Sequence, residues 1–185
     1  MTDRTTIKVF AKAPHIEEED IFGKKINLSD YKDKKVFIGF YRHAGCPFCN
    51  VRVHRLLKQR DYYKSMGLEM ILFFESSKET LLKSKFHKKL NQIPAISDPD
   101  KKIYASYGVE HSVLKSSLSH IKSFFQIVVK AKTNKLPTHW MVENESFNTI
   151  PAEFLIDENG FVKRIHYFKN LSDQMSDDVI NEFLA

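Results

Sequence analysis

Two apolar runs set the pattern of the chain, Val36-Phe37-Ile38-Gly39-Phe40-Tyr41 and Leu68 to Phe74, the second interrupted only by Glu69. Runs this short, without polar alternation, suit central parallel strands covered on both faces. Between them the spacing changes. From Pro47 to about Ser65, Val53, Leu56, Leu57 and Tyr63 fall on one face at helical intervals, and Arg52, Arg55, Lys58 and Arg60 can face water. Pro47 suits a first helical turn, where its missing N–H costs nothing, and Gly67 ends the helix. The unit predicted is strand, helix, strand with a right-handed crossover.

The flanking segments add smaller elements. Thr6 to Phe10 reads as a short strand, and Ile21 to Leu28 as a hairpin turning at Gly23-Lys24. Ser29 is placed to cap a short helix through Tyr31. Ser76 and Glu79 fit a capping box opening a helix that carries Leu82, Phe86 and Leu90 inward. Pro94-Ala95-Ile96 returns the chain, Asp98 to Lys101 turns it, and a short helix ends at Gly108. Leu114, Leu118, Ile121, Phe125 and Val128 predict an amphipathic helix over 111–132, and 136–148, with the Trp, reads as an irregular loop able to fold over the segment Cys46 to Cys49. Ile150 to Asp157 is a strand entered through Pro151. Asp157 to Gly160 turns into a return strand, Phe161 to Tyr167, and Ser176 caps a last helix. With no repeat and no linker, residues 1–185 are expected to form a single α/β domain, large enough to bury a core unaided.

Charge and composition narrow the classes. Lys and Arg number 29 against 23 Asp and Glu, a net charge of +6, spread along helices rather than gathered in a patch, so a solvated surface is expected and no nucleic-acid partner. From His111 to Trp140 there are five Lys and no acid, a face that an acidic partner or a membrane surface could meet, although a helix packed on the sheet is the plainer expectation. No run is long and apolar enough to span a membrane, and the start of the chain has no apolar leader, so a cytoplasmic location is expected, with thiols reduced at rest.

Both cysteines of the chain lie in Gly45-Cys46-Pro47-Phe48-Cys49, between the first buried strand and the long helix. In that setting a Cys-x-x-Cys pair reads as redox-active. A thiolate at a helix N-terminus is stabilised by unpaired N–H groups and the macrodipole, so its pKa falls. Arg42 and His43 just upstream can add positive charge. Two inert structural thiols, or half of a zinc site, are the competing readings. Zinc asks for four ligands and no second pair exists, so neither metal nor cofactor is expected. His54 reads as a partly exposed helix residue rather than a base.

From about Ala13 to Phe183 the chain resembles a thioredoxin-fold protein of the peroxiredoxin-like group, related to the alkyl hydroperoxide reductase/thiol-specific antioxidant family. The resemblance rests on Asn27-Leu28-Ser29-Asp30-Tyr31, Lys35 to Tyr41, Gly45 to Cys49, Asp98-Pro99, Tyr107-Gly108-Val109 and Pro151 to Gly160, in that order. It implies a central mixed sheet flanked by helices, an N-terminal hairpin extension and an inserted helix near 111–132. It also implies a cis Ile150–Pro151 bond facing the cysteines, and an external thiol reductant of thioredoxin or glutathione type. A homodimer is compatible with it. The family's Pro-x-x-x-Thr-x-x-Cys pattern places Arg42 at the Pro, Cys46 at the Thr and Cys49 at the peroxidatic Cys. The family's Arg before the hairpin is here Pro151.

Three mechanisms follow. In the first, Cys46 attacks a substrate disulfide and Cys49 resolves the mixed disulfide. In the second, a cysteine attacks a peroxide, becomes a sulfenic acid and condenses with its neighbour. The family alignment makes Cys49 the attacking residue; helix position makes it Cys46. In the third the chain is no enzyme: the basic helix binds an acidic partner, and the pair is a redox switch or holds a metal or cluster. The candidate residues are Cys46, Cys49, Arg42 and Pro151.

Overall fold

The computed structural model describes residues 7–109, 126–138, 145, 146 and 148–185. Among the described residues seven strands form two sheets: β1 (Glu17–Glu19), β2 (Lys25–Asn27), β3 (Lys35–Tyr41), β4 (Leu68–Phe74), β5 (Ala95–Ser97), β6 (Ala152–Ile156) and β7 (Val162–Tyr167). β1 and β2 pair as a small antiparallel hairpin; the other five form a mixed sheet in the order β5-β4-β3-β6-β7. β3 and β4 are parallel, with Phe37 opposite Met70, and α1 (Pro47–Ser65) connects them. β6 runs antiparallel to β3, with Ala152 opposite Phe40.

Alternation along β3 divides the core. Phe37 and Tyr41 face α1 and the C-terminal helix (Asp177–Leu184), together with Val53, Leu56 and Ile180. Val36, Ile38 and Phe40 face the other way, against α3 (Lys102–Ser106) and the N-terminal segment. On that second face the Phe40 ring meets Phe73, Tyr104, Tyr107 and Phe154 at centroid distances of 4.8, 5.0, 4.9 and 5.7 Å. A strand buried on both faces needs apolar residues at successive positions, as β3 has from Val36 to Tyr41.

Several expectations shift in detail. Ile7 to Phe10 is no strand: Val9 and Phe10 form a turn, and Phe10 has φ of 69°. The segment still hydrogen-bonds to the start of β7, through Phe10 N–H to Val162 O at 2.7 Å. Asn27, not Ser29, caps the 3-10 turn Leu28–Tyr31, accepting from Ser29 N–H at 2.9 Å. Ser77, not Ser76, caps α2 (Lys78–Lys83). That helix then gives way to a 3-10 turn, His87–Gln92, and Leu81 and Leu90 are buried while Leu82 is only partly so. The Ile150–Pro151 peptide is trans, which costs nothing at a strand entrance where no ladder N–H is needed. Most of the expected helix over 111–132 lies outside the described residues, which are helical over 126–133. Among the described residues no helix is long and apolar enough to cross a membrane.

Candidate active site

The chain leaves β3 at Tyr41, turns through Arg42 to Gly45 and enters α1 with Cys46 as its N-cap. His43 O accepts Cys46 N–H at 3.0 Å, closing this turn. Pro47 at the first helical position fixes the backbone angle of the entry. Ala44 N–H is held by Ser76 Oγ at 2.7 Å, from the loop after β4. That employment of Ser76 leaves Ser77 to cap α2.

Both thiols are reduced and almost closed to solvent, Cys46 at 1% and Cys49 at 2% exposure. Arg42 is equally buried, and its Nη1 lies 3.8 Å from Cys46 Sγ. Arg42 N–H donates to Cys49 Sγ at 3.4 Å. Burial works against a thiolate at Cys46. The hydrogen bond from Cys49, the Arg42 guanidinium and the N–H groups of Cys49 and Phe48 outweigh it and bring Cys46 down to about 7. For Cys49 burial comes first, reinforced by the neighbouring Cys46 thiolate, and pushes its thiol well up. The pair is therefore split: Cys46 is the thiol that ionises first, and Cys49 stays protonated and donates to it.

A buried polar network supports the turn. Glu75, at the end of β4, accepts from Thr149 Oγ1 at 2.7 Å and from Ser146 N–H at 3.1 Å, and faces Lys101 Nζ at 3.4 Å. Burial pushes its carboxyl up, against those partners and Arg42. Glu145 reaches His43 Nδ1 at 3.5 Å and accepts from the Ser76 hydroxyl. Asn50 Nδ2 donates to Ala44 O and Pro137 O at 2.8 and 2.9 Å. The ends of the irregular loop expected over 136–148 are thus tied to the redox turn, while 139–144, with Trp140, lie outside the described residues.

Sequence reasoning missed a second network. Arg52, expected to face water, is buried and makes a two-pronged pair with Glu153, Nε to Oε1 at 2.8 Å and Nη2 to Oε2 at 3.0 Å. Tyr41 Oη and Met175 N–H complete the carboxylate's bonds at 2.8 and 2.9 Å. The available signal was Glu153 itself, a single carboxylate inside the apolar strand Pro151 to Ile156. Pro151 and Cys49 both line one cavity. His54 is half-buried, and burial, with Lys58, Lys89 and Lys130, lowers its pKa. Two larger clefts, of 390 and 470 Å³, open at the far end of the sheet, by Val36 and Ile156 and by Glu69 and Pro94. Among the described residues no group of three or more His, Cys, Asp or Glu is arranged to hold a metal.

Comparison with known proteins finds thiol–disulfide oxidoreductases and peroxiredoxins among the relatives of the chain. The thiol–disulfide oxidoreductase ResA of Bacillus thuringiensis (strain Al Hakam) is 28% identical over 107 residues, 58% of this chain and 61% of that one. ResA of Bacillus subtilis (strain 168) is 26% identical over 76% of this chain and 73% of its own. Peroxiredoxin Bcp of Escherichia coli (strain K12) is 29% identical over 52% of this chain and 62% of its own. The alignment thus spans about three fifths of the first of these relatives. In fold, the reduced 2-Cys peroxiredoxin of Plasmodium vivax superposes with a TM-score of 0.64 at 21% identity, covering 95% of this chain and 79% of the other. The model of the AhpC/TSA family matches residues 9–165, most of the sequence, and the chain belongs to that family.

Proposed function

We propose that the chain is a thiol-dependent reductase of small hydroperoxides, in which Cys46 attacks and Cys49 resolves. One observation carries the reading: Cys46 stands at the N-cap of α1 beside the buried Arg42 guanidinium with its pKa brought down to about 7, in surroundings too closed for a bulky oxidant. The Cys46 thiolate attacks the terminal oxygen of ROOH. The O–O bond breaks, Cys46 becomes a sulfenic acid and RO⁻ leaves to be protonated as ROH. Cys49 thiol then attacks the sulfenic sulfur, forming the Cys46–Cys49 disulfide and releasing water. Two equivalents of an external thiol restore the dithiol. Arg42 takes the charge-stabilising part: it offers a fixed cation to the thiolate and to the departing oxygen. Family membership and the peroxiredoxin among the relatives support peroxide as oxidant. A compartment rich in reducing thiols, such as the cytoplasm, suits the cycle.

A second reading, thiol–disulfide exchange, is favoured by one different observation: Cys49 donates to Cys46 within a Cys-x-x-Cys turn that has Pro151 alongside. The two share their first nucleophile and differ in its target. Treating Cys49→Ser protein with hydrogen peroxide and dimedone tests the choice. The proposal expects a sulfenic acid on Cys46, formed about a hundredfold faster than on a free thiol of similar pKa, the order one preorganised donor supplies. An ordinary thiol rate, with mixed disulfides trapped on Cys46 instead, turns the assignment to disulfide exchange.

A further inference from the structure

A cavity of 80 Å³ lies between the first turns of α1, the helical residues 126–133 and the segment after β7. Cys49, Phe48 and Pro151 form part of its wall, and Cys46 does not reach it. Leu171 adds an apolar side, and the exposed Lys130 and Ser172 stand where it meets solvent. Lys130 makes no ion pair among the described residues. The cysteine at the helix N-cap and the cysteine on the wall of the cavity are therefore different residues.

We infer that this cavity receives the thiol that reduces the Cys46–Cys49 disulfide, that the thiol is a small anionic one drawn by Lys130, and that it attacks Cys49 rather than Cys46. The inference rests on the dithiol–disulfide cycle proposed above and holds for either oxidant. The incoming thiolate RS⁻ bonds to Cys49 Sγ. The S–S bond breaks and its electron pair leaves on Cys46 as a thiolate. A second RS⁻ attacks the RS sulfur of the mixed disulfide, giving RSSR and returning Cys49, which takes up a proton. In thiol–disulfide exchange the better leaving group is the thiol of lower pKa. Attack on Cys49 expels the sulfur already stabilised by Arg42 and the start of α1. Attack on Cys46 would expel Cys49, whose thiolate burial disfavours. Reduction through Cys49 thus regenerates the attacking thiolate in one step. A cavity of this size admits the thiol end of a reductant and leaves its carboxylates at the rim, beside Lys130.

The test starts from protein oxidised with diamide, so it does not depend on peroxide as oxidant. The disulfide is exposed briefly to 2-mercaptoethanesulfonate, quenched in acid and capped with N-ethylmaleimide, and fragment mass spectrometry locates each adduct. The mercaptoethanesulfonate is expected on Cys49 and the maleimide on Cys46; the reverse arrangement overturns the inference. Lys130→Glu is expected to slow reduction by 2-mercaptoethanesulfonate about threefold or more, by removing electrostatic attraction, and to slow uncharged 2-mercaptoethanol less. An equal effect on both thiols, or none, overturns the anionic subsite. Failure of diamide to form the disulfide overturns the cycle itself and is read before either adduct.

Discussion

Arg42 Nη1 stands 3.8 Å from Cys46 Sγ with its side chain out of water, so little solvent screens the attraction between them. Sequence reasoning could give Arg42 equally to a surface ion pair, because the burial that decides its role comes from residues far along the chain. Arg42→Met should raise the Cys46 midpoint from about 7 toward an ordinary thiol. A rise of about one unit lowers the thiolate fraction at pH 7 from about a half to about a tenth, and peroxide-dependent thiol loss at that pH should fall about fivefold. The sign is set by which form Arg42 favours: it stabilises the charged sulfur, so its removal moves the rate profile to higher pH. An unchanged profile would remove Arg42 from the site. The same physical logic separates Cys46 from Cys49. Both are equally buried, but the helix terminus and the guanidinium favour a charge on Cys46, and the charge on Cys46 disfavours a second on Cys49.

At the scale of elements, β3 and α1 depend on a close approach at Gly39. A Cβ there would meet Tyr41 ring atoms at 2.7 to 2.9 Å. Gly39→Ala should push the ring aside and loosen the Tyr41 hydrogen bond to Glu153, which circular dichroism in the near ultraviolet and urea titration can follow. The Arg52–Glu153 pair ties α1 to β6. Breaking a buried pair leaves a charge without its partner, so Arg52→Ala should cost about 3–5 kcal/mol in urea unfolding, and a loss under about 1 kcal/mol would mean the pair is solvated. Ser77→Ala should cost about 1 kcal/mol through the cap of α2. These elements also mark what the sequence made legible. Helix α1 runs from Pro47 to Ser65 as its proline, apolar spacing and Gly67 require. β3, β4, the β6–β7 turn and the Ser176 cap follow from equally local signals. What was hidden is non-local. Arg52 and Glu153 are 101 residues apart, and nothing in a helical wheel distinguishes a paired buried arginine from a solvated one. Ser76 fitted a capping box, yet it is held by Ala44 N–H and Glu145 instead.

At the scale of the molecule, parallel β3 and β4 with α1 between them bring the start of α1 to the carboxyl end of the central strand. Connections in α/β sheets gather reactive groups at that end. Glu75 and Ser76 leave β4 beside it, and Ala152 opposite Phe40 brings Pro151 to the same end from β6. The Cys-x-x-Cys motif and its setting were therefore readable from the chain, because strand, turn and helix signals are contiguous. The supporting polar network, drawn from residues 42–43, 75–76, 101, 145, 146 and 149, was not, because only the sheet brings those segments together. The central claim is that Cys46 is the thiolate and Cys49 the thiol. Its most direct test is iodoacetamide alkylation of fully reduced protein from pH 5 to 10, with each cysteine quantified by peptide mapping. The account predicts that Cys46 is labelled first, with a midpoint near 7, and that Cys49 stays unlabelled well into alkaline pH. Labelling of Cys49 first, or of both cysteines together near pH 9, would contradict it.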